Sequence, residues 1–324
     1  MEILNGSESS SIEKAVKLLK KGDVVAFPTE TVYGLGADAL NPYAVAKIFE
    51  VKKRPKFDPL IVHIGDIEWI NTISDNVPPD AKKLIERFWP GPLTLILKKK
   101  NIIPDIITAG LSTVAIRMPS HPVALQLIRD FGNPIAAPSA NPFGYMSPTS
   151  AKHVAMMLGE EIPLILDGGS SDYGIESTIV SFHEGKTYLH RHGAVSLEEL
   201  FLTTAFVYEK EKGGACESPG ELPYHYAPLK PLKLINSIDE IQDAKSSFLA
   251  FKKPSKVPIS KYIKVLSNYG DMREAAANFF SYLIELDRED VDIIYAENMP
   301  ETGLGKAMME RLVKASKKYM HITH

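Results

Sequence analysis

The sequence predicts an α/β fold with a mixed sheet. Short apolar runs bounded by Pro and Gly recur along the chain, stretches of helical period lie between them, and the two patterns alternate nearly to the end. Ser10 to Lys21 reads as the first helix: Ile12, Val16 and Leu19 share a face, Ser10 and Glu13 stand at capping-box spacing, and Gly22 stops it. Val24 to Phe27 is a short buried strand, followed by a polar, Gly-rich segment from Pro28 to Asp38. Asn41-Pro42 opens a helix running through Val45, Ile48 and Phe49 towards Lys52, with Asn as N-cap and Pro in the first turn. Leu60 to Ile64, Leu93 to Leu97 and Thr113 to Arg117 are strands; Pro122 to Phe131 is a helix with a Gly132 stop. Ile135 to Ala137 leads into the loop Ser139-Ala140-Asn141-Pro142, and Leu164 to Leu166, Thr178 to Phe182 and Thr187 to Leu189 are further strands.

The pattern breaks at Tyr208 to Leu229, which is charged, then rich in Gly and Pro. It is too long for an ordinary connection and reads as a linker or a functional lid. A smaller α/β unit follows, with strands Leu232 to Ile235, Phe248 to Phe251 and Ile293 to Ala296 and helices Met272 to Leu286 and Leu304 to Ser316.

A chain of 324 residues fits two domains, and 44% hydrophobic with 24% charged residues supplies material for two cores. The net charge of -3 argues against coating of nucleic acid by charge alone. Cys216 is the sole cysteine, which excludes an intramolecular disulfide and any Cys-x-x-Cys zinc site; beside Gly213 and Gly214 its alternative reading is a nucleophile. No apolar N-terminal stretch resembles a signal peptide and no run reaches the ~18 residues of a membrane helix, so a soluble cytoplasmic protein without membrane attachment is expected.

Polar residues concentrate where strands end. Pro28-Thr29-Glu30-Thr31-Val32-Tyr33-Gly34-Leu35-Gly36 sets hydroxyls and glycines directly after a buried strand, as a ligand-binding loop or a plain turn. Gly34 to Ala39 also matches the dinucleotide Gly-x-Gly-x-x-Gly/Ala spacing, but Pro28 and five more residues separate Phe27 from Gly34, which argues against that turn. Gly305-Lys306 is followed by Ala307, so the phosphate-loop Ser/Thr is missing. Lys52, Lys53, Arg54 and Lys56 cluster at a helix end, where Arg54-Pro55 halts the helix; this reads either as a solvated helix C-terminus or as fixed charge for phosphates. Ser139-Ala140-Asn141 is a strand-end loop of the kind that contacts ligands in open α/β sheets. Arg117, Ser177-Thr178, Arg191 and His225-Tyr226 are scattered further candidates, and His190 with His192 would share a strand face as a weak metal pair.

Together these segments resemble the threonylcarbamoyl-AMP synthase family, built on the YrdC-like domain. The matching residues are Pro28-Thr29-Glu30-Thr31 with Tyr33-Gly34-Leu35, Lys52-x-Arg54-Pro55, Pro59-Leu60, Trp89-Pro90-Gly91-Pro92-Leu93-Thr94, Arg117-x-Pro119, Pro138-Ser139-Ala140-Asn141, Ser147-Pro148-Thr149, Ser177-Thr178-Ile179 and Arg191-x-Gly193. Ser218-Pro219-Gly220 and His225-Tyr226-Ala227-Pro228 resemble the linker of the longer, two-domain form. The resemblance implies a YrdC-like twisted mixed sheet with flanking helices over 1–207, a linker over the active site at 208–230, and a smaller Rossmann-like α/β domain over 231–324.

The same resemblance implies a nucleotidyltransferase. Threonine and bicarbonate form N-carboxy-threonine, which attacks the α-phosphate of ATP to give threonylcarbamoyl-AMP and pyrophosphate. A separate transferase then places the threonylcarbamoyl group on the adenosine beside the anticodon of certain tRNAs. Carried over residue by residue, Lys52, Arg54, Ser139 and Asn141 are the expected catalytic set. Thr31, His63, Arg117, Ala137 and Ser177 are the expected L-threonine pocket, and Arg54, Asp58, Thr113, Ser139, Ser147, Arg191 and Tyr226 the expected ATP contacts, with Mg²⁺ accompanying the triphosphate. The chain departs from the family pattern at Asp58 for Asn, Glu176 for Pro, Ser181-Phe182 where Asp is common, His192 for Pro, and Glu221-Leu222 for Met-Lys. Two other readings compete: an RNA-binding module using the Lys52 to Lys56 cations, and carbamoyl-adenylate chemistry of the hydrogenase-maturation kind, whose zinc fingers this chain lacks the cysteines to build.

Overall fold

A computed structural model describes residues 1–204, 207–209, 218 and 225–318. Cys216, Gly213, Gly214, Pro219, Gly220, Glu221 and Leu222 lie outside the described residues. The contacts divide the chain into two compact units, the first formed by Met1–Phe143, Pro148–Asp172 and Glu176–Glu221, the second by Gly144–Ser147, Tyr173–Ile175 and Leu222–His324. Two short segments inside 1–207 thus pack with the C-terminal part.

The first unit runs β1 (Glu2–Asn5), α1 (Ser9–Lys20), β2 (Val25–Phe27), β3 (Gly34–Asp38), α2 (Pro42–Lys52), β4 (Ile61–His63), α3 (Ile70–Ile73), α4 (Pro79–Phe88), β5 (Leu93–Lys98), α5 (Asp105–Thr108), β6 (Thr113–Arg117), α6 (Pro122–Phe131), β7 (Ile135–Ala136), α7 (Ala151–Leu158), β8 (Leu164–Asp167), β9 (Thr178–His183), β10 (Lys186–Arg191), α8 (Leu197–Phe201) and β11 (Val207–Glu209). These strands make one eleven-stranded sheet in the order β1-β8-β2-β3-β7-β4-β6-β5-β9-β10-β11. It is mixed: β4 and β6 pair parallel, as do β5 and β9, while β5 with β6 and β4 with β7 pair antiparallel.

The two faces of this sheet differ. One carries Ala26, Leu35, Val62, Leu95, Ile116 and Val180 and is covered by α2, α4 and α7 through Ile48, Leu84 and Val154. On the other, α1 and α6 cover Val25, Phe27 and Leu166 with Ile12, Leu19, Leu127 and Ile128. Further along this second face Ile61, Ile96, Ala115 and Ile179 form a small separate apolar patch. Period-two alternation then puts His63, Thr94, Thr113, Arg117 and Ser177 around the same patch.

Several local expectations are corrected. Helix α1 starts at Ser9 with Glu8 as N-cap and no side-chain cap bond, so Ser10 lies inside the helix and makes no capping box with Glu13. Gly34 to Asp38, read as loop, is strand β3, paired antiparallel with β2. Glycine suits it because a Cβ on Gly36 would collide with Phe27 and Ile135. Helix α2 ends before Arg54-Pro55, because Lys53 turns left-handed at φ 52° and caps it.

The second unit contains β12 (Leu232–Ile235), β13 (Ser246–Ala250), β14 (Tyr262–Val265), α9 (Met272–Leu286), β15 (Ile293–Glu297) and α10 (Leu304–Lys317). Its four strands lie in the order β12-β15-β13-β14 and every pairing is parallel, the arrangement that crossover connections such as α9 produce. Asp287, the C-cap residue of α9, gathers this unit's entering chain. Its carboxylate accepts from the backbone N–H groups of Leu229 (2.8 Å) and Lys230 (3.0 Å) and from the Tyr145 hydroxyl.

Candidate functional site

Helix α2 delivers Lys52 to the polar loop after β7. Its side chain is buried, and Nζ donates to the carbonyl oxygens of Ser139 (2.6 Å) and Asn141. In return the Phe143 N–H donates to the Lys52 carbonyl. The loop is also stitched to the segment after β2: Ala140 N–H bonds Tyr33 O, and Ser139 bridges Gly34. Burial, and then the Arg54 charge, push the Lys52 amine well below its ordinary range, with Asp58 opposing.

The left-handed Lys53 swings Arg54 inward. There Nη2 meets Asp58 Oδ2 at 2.8 Å, Nε and Nη2 donate to the Asp58 and Pro59 carbonyls, and the guanidinium lies 5.8 Å from the Phe143 ring centre. Asp58 therefore spends its charge on Arg54. Of the four cations in this stretch only Lys53 and Lys56 are exposed, so this is not a wholly solvated helix end.

A second group surrounds Arg117 at the end of β6. Arg117 Nε donates to Gly91 O (3.3 Å), and Nη2 lies 2.8 Å from Glu30 Oε1, both side chains being almost fully buried. The register pairs Arg117 with His63, and burial followed by the Arg117 charge lowers the His63 pKa to about 3, so the ring is neutral. Its Nδ1 has no hydrogen-bond partner among the described residues, and the ring stands edge-on to Phe27 at 6.3 Å. Thr31 shares a hydrogen bond with Thr29 (2.9 Å), and Ala137 N–H bonds Ile61 O.

Ser177 Oγ is 2.8 Å from Thr94 Oγ1 and accepts from Arg191 Nη2 at 3.1 Å; Arg191 also bonds the Ser177 carbonyl through Nε and Nη2. Gly193 allows this close approach, since a Cβ there would strike the backbone from Glu176 to Thr178. Thr113 lies at the opposite end of β6 from Arg117, level with the residues that enter β4 just after Asp58.

The sheet register of the first unit sets His63, Arg117 and the Ser177–Arg191 pair on neighbouring strands, with Thr31 and Ala137 on the adjoining segments, and Lys52, Arg54, Asp58, Ser139 and Asn141 form another group. The two are joined through Tyr33-Gly34 and the loop after β7. Ser147 and Tyr226 belong to the second unit, both buried; Tyr226 takes φ 63° and packs against Phe280 and Arg311. His190 Nε2 bonds Ser181 (2.7 Å) and His192 faces Glu209 (3.4 Å), so each imidazole of the suspected metal pair has a protein partner. Sequence reasoning missed Glu30, Thr94 and Phe143. A carboxylate between two threonines directly after a buried strand is the signal for the first, and the Trp89 to Thr94 motif for the second; nothing local marks Phe143.

Residues 17–193 match the Sua5/YciO/YrdC family model, described as "Telomere recombination", and residues 194–317 match the model described as "Threonylcarbamoyl-AMP synthase, C-terminal domain". The chain is 43% identical to the threonylcarbamoyl-AMP synthase of Bacillus subtilis, over 94% of this chain and 92% of that protein. It is also 43% identical to the threonylcarbamoyl-AMP synthase of Pyrococcus abyssi, over 95% of each. The crystal structure of P. abyssi Sua5 complexed with L-threonine superposes with a TM-score of 0.91 at 38% identity, covering 98% of both chains.

Proposed function

The chain belongs to the threonylcarbamoyl-AMP synthase family, and on that premise we propose that it joins L-threonine, bicarbonate and ATP into threonylcarbamoyl-AMP, releasing pyrophosphate as a nucleotidyltransferase. The observation that carries this reading is the adjacency of the two groups on one loop system. Arg117, His63 and Ser177 stand at neighbouring strand ends of the sheet, and the cation pair Lys52 and Arg54 is held beside the Ser139–Asn141 loop.

The chemistry needs little covalent help. The threonine amine takes up bicarbonate with loss of water, the carboxylate oxygen so formed attacks the α-phosphorus, and pyrophosphate leaves. The protein's part is to align these groups and to meet the charge that develops on the phosphates. Lys52 and Arg54 face the phosphates, with Ser139 and Asn141 setting the loop; Arg117 takes the threonine carboxylate, for which its planar fork is suited. Thr31, His63, Ala137 and Ser177 line the rest of the amino-acid pocket.

The site carboxylates Asp58 and Glu30 face Arg54 and Arg117, so protein oxygen donors for a metal are few; Mg²⁺ fits here as an ion carried on the triphosphate. Bound there, it neutralises phosphate charge. We further propose that the adenylate passes to a tRNA-modifying transferase in the cytoplasm.

The test is pyrophosphate release by the full-length protein with ATP, Mg²⁺ and bicarbonate, with and without L-threonine. Threonine-dependent release that is lost in Lys52→Ala supports the reading. Folded, ATP-binding protein that releases none overturns it.

A further inference from the structure

Glu30, the buried ion-pair partner of Arg117, has no role in the chemistry above. Its side chain is 2% exposed, yet among the described residues neither Oε1 nor Oε2 has a hydrogen-bond donor, and Nη2 of its ion-pair partner Arg117 likewise lacks an acceptor. The two charges are 2.8 Å apart without the alignment of a hydrogen bond. The neighbouring hydroxyls are engaged elsewhere: Thr29 Oγ1 donates to Val32 O at 2.6 Å and shares a contact with Thr31 Oγ1. Arg117 uses Nε on Gly91 O, and His63 is neutral.

A buried carboxylate offers about four acceptor sites, and leaving them empty is costly enough to call for a partner, which a bound ligand supplies here. The pair has no net charge, but it has a positive pole and a negative pole side by side. A simple carboxylic acid satisfies only the first and an amine only the second. An α-amino acid, whose ammonium and carboxylate are one carbon apart, satisfies both.

We infer that Glu30 receives the ammonium group of the amino-acid substrate while Arg117 takes its carboxylate, so that the buried Glu30–Arg117 pair forms a zwitterion receptor. This rests on the proposed function and deepens it: Glu30 sets the demand for a free α-amine, the group that becomes carboxylated. Substrates that keep the carboxylate but replace the amine with a hydroxyl are discriminated against at Glu30.

The experiment is calorimetric titration of the full-length protein with L-threonine and with 2,3-dihydroxybutanoate, its 2-hydroxy analogue, followed by the same titrations of Glu30→Gln. Wild type is expected to prefer threonine. Glu30→Gln is expected to bind threonine about 10- to 100-fold more weakly, the scale of a lost charged hydrogen bond, with hydroxy-acid and ATP binding little changed. A folded Glu30→Gln protein that keeps the wild-type preference overturns the inference and leaves Glu30 as a support for Arg117. Should that variant not fold, Glu30→Asp is read instead: a partial loss of preference supports the assignment and an unchanged one overturns it. Wild type that binds no threonine would sink the proposed function, and this inference with it.

Discussion

Arg54 Nη2 and Asp58 Oδ2 meet at 2.8 Å with their side chains 3% and 0% exposed. Lys53 makes this possible by leaving helix α2 in a left-handed conformation, which turns the next side chain inward rather than along the helix. Removing one member of a buried pair strands the other charge, so Asp58→Ala is expected to cost about 3–5 kcal/mol. Asp58→Asn keeps one acceptor for Arg54 and costs less. On the proposed reading it also removes a negative charge near the phosphates and tightens ATP binding. Urea unfolding and ATP titration of both variants check this; equal stability of Asp58→Ala and wild type would contradict the pairing.

Lys52 joins two carbonyls of the loop after β7, and its loss acts on rate and structure together. Lys52→Met, which keeps the buried stem, is expected to lower threonine-dependent pyrophosphate release by roughly 10²–10³, the scale for losing one charge-stabilising donor. The same assay on Lys53→Met, whose side chain is exposed, is expected to stay within a few-fold of wild type. Comparable losses in both would show that bulk positive charge, not position, matters.

His63 gives the fold an acid limb. Its pKa falls from 6.5 to about 3 in the folded state, mainly through burial. Between these values the unfolded chain binds a proton that the folded one refuses, so stability is full above about pH 6.5 and declines as pH falls towards about 3. The slope contributed is at most about 1.4 kcal/mol per pH unit. His63→Phe is expected to flatten that part of the profile, measured as the unfolding midpoint against pH; an unchanged slope would mean that other groups produce it.

Asp287 carries the entry into the second unit on three donors. Asp287→Ala removes the acceptor shared by two backbone N–H groups and the Tyr145 hydroxyl and is expected to destabilise by about 2–4 kcal/mol, given the usual worth of hydrogen bonds to charged groups and partial rescue by water. Tyr145→Phe removes one donor only and is expected to cost about 1 kcal/mol. Hydrogen exchange at Leu229 and Lys230 reads the loss directly: faster exchange at both amides in Asp287→Ala is the expected result, and unchanged protection refutes it.

What the sequence determined by itself is what contiguous residues can encode. Thr113–Arg117, Pro122–Phe131, Leu232–Ile235 and Met272–Leu286 are found with the ends that apolar period, Pro and Gly predict. Asn41 caps α2 as expected, accepting from the Tyr43 and Ala44 N–H groups. The polar segments after β2, α2 and β7 could likewise be picked out, since hydroxyls, glycines and cations at strand and helix ends are a local pattern. Tertiary structure decided whatever depends on distant partners. Gly34–Asp38 is a strand because β2 and β7 flank it, although its glycines read locally as loop. Lys52 is a buried clamp rather than a solvated helix end, because a loop nearly ninety residues later supplies its acceptors. Glu30 and Arg117, 87 positions apart, form one dipolar receptor only because the sheet brings the end of β6 to the segment after β2. Burial and charge pairing are properties of what surrounds a residue, and in a sheet assembled from non-consecutive strands those surroundings come from elsewhere in the chain.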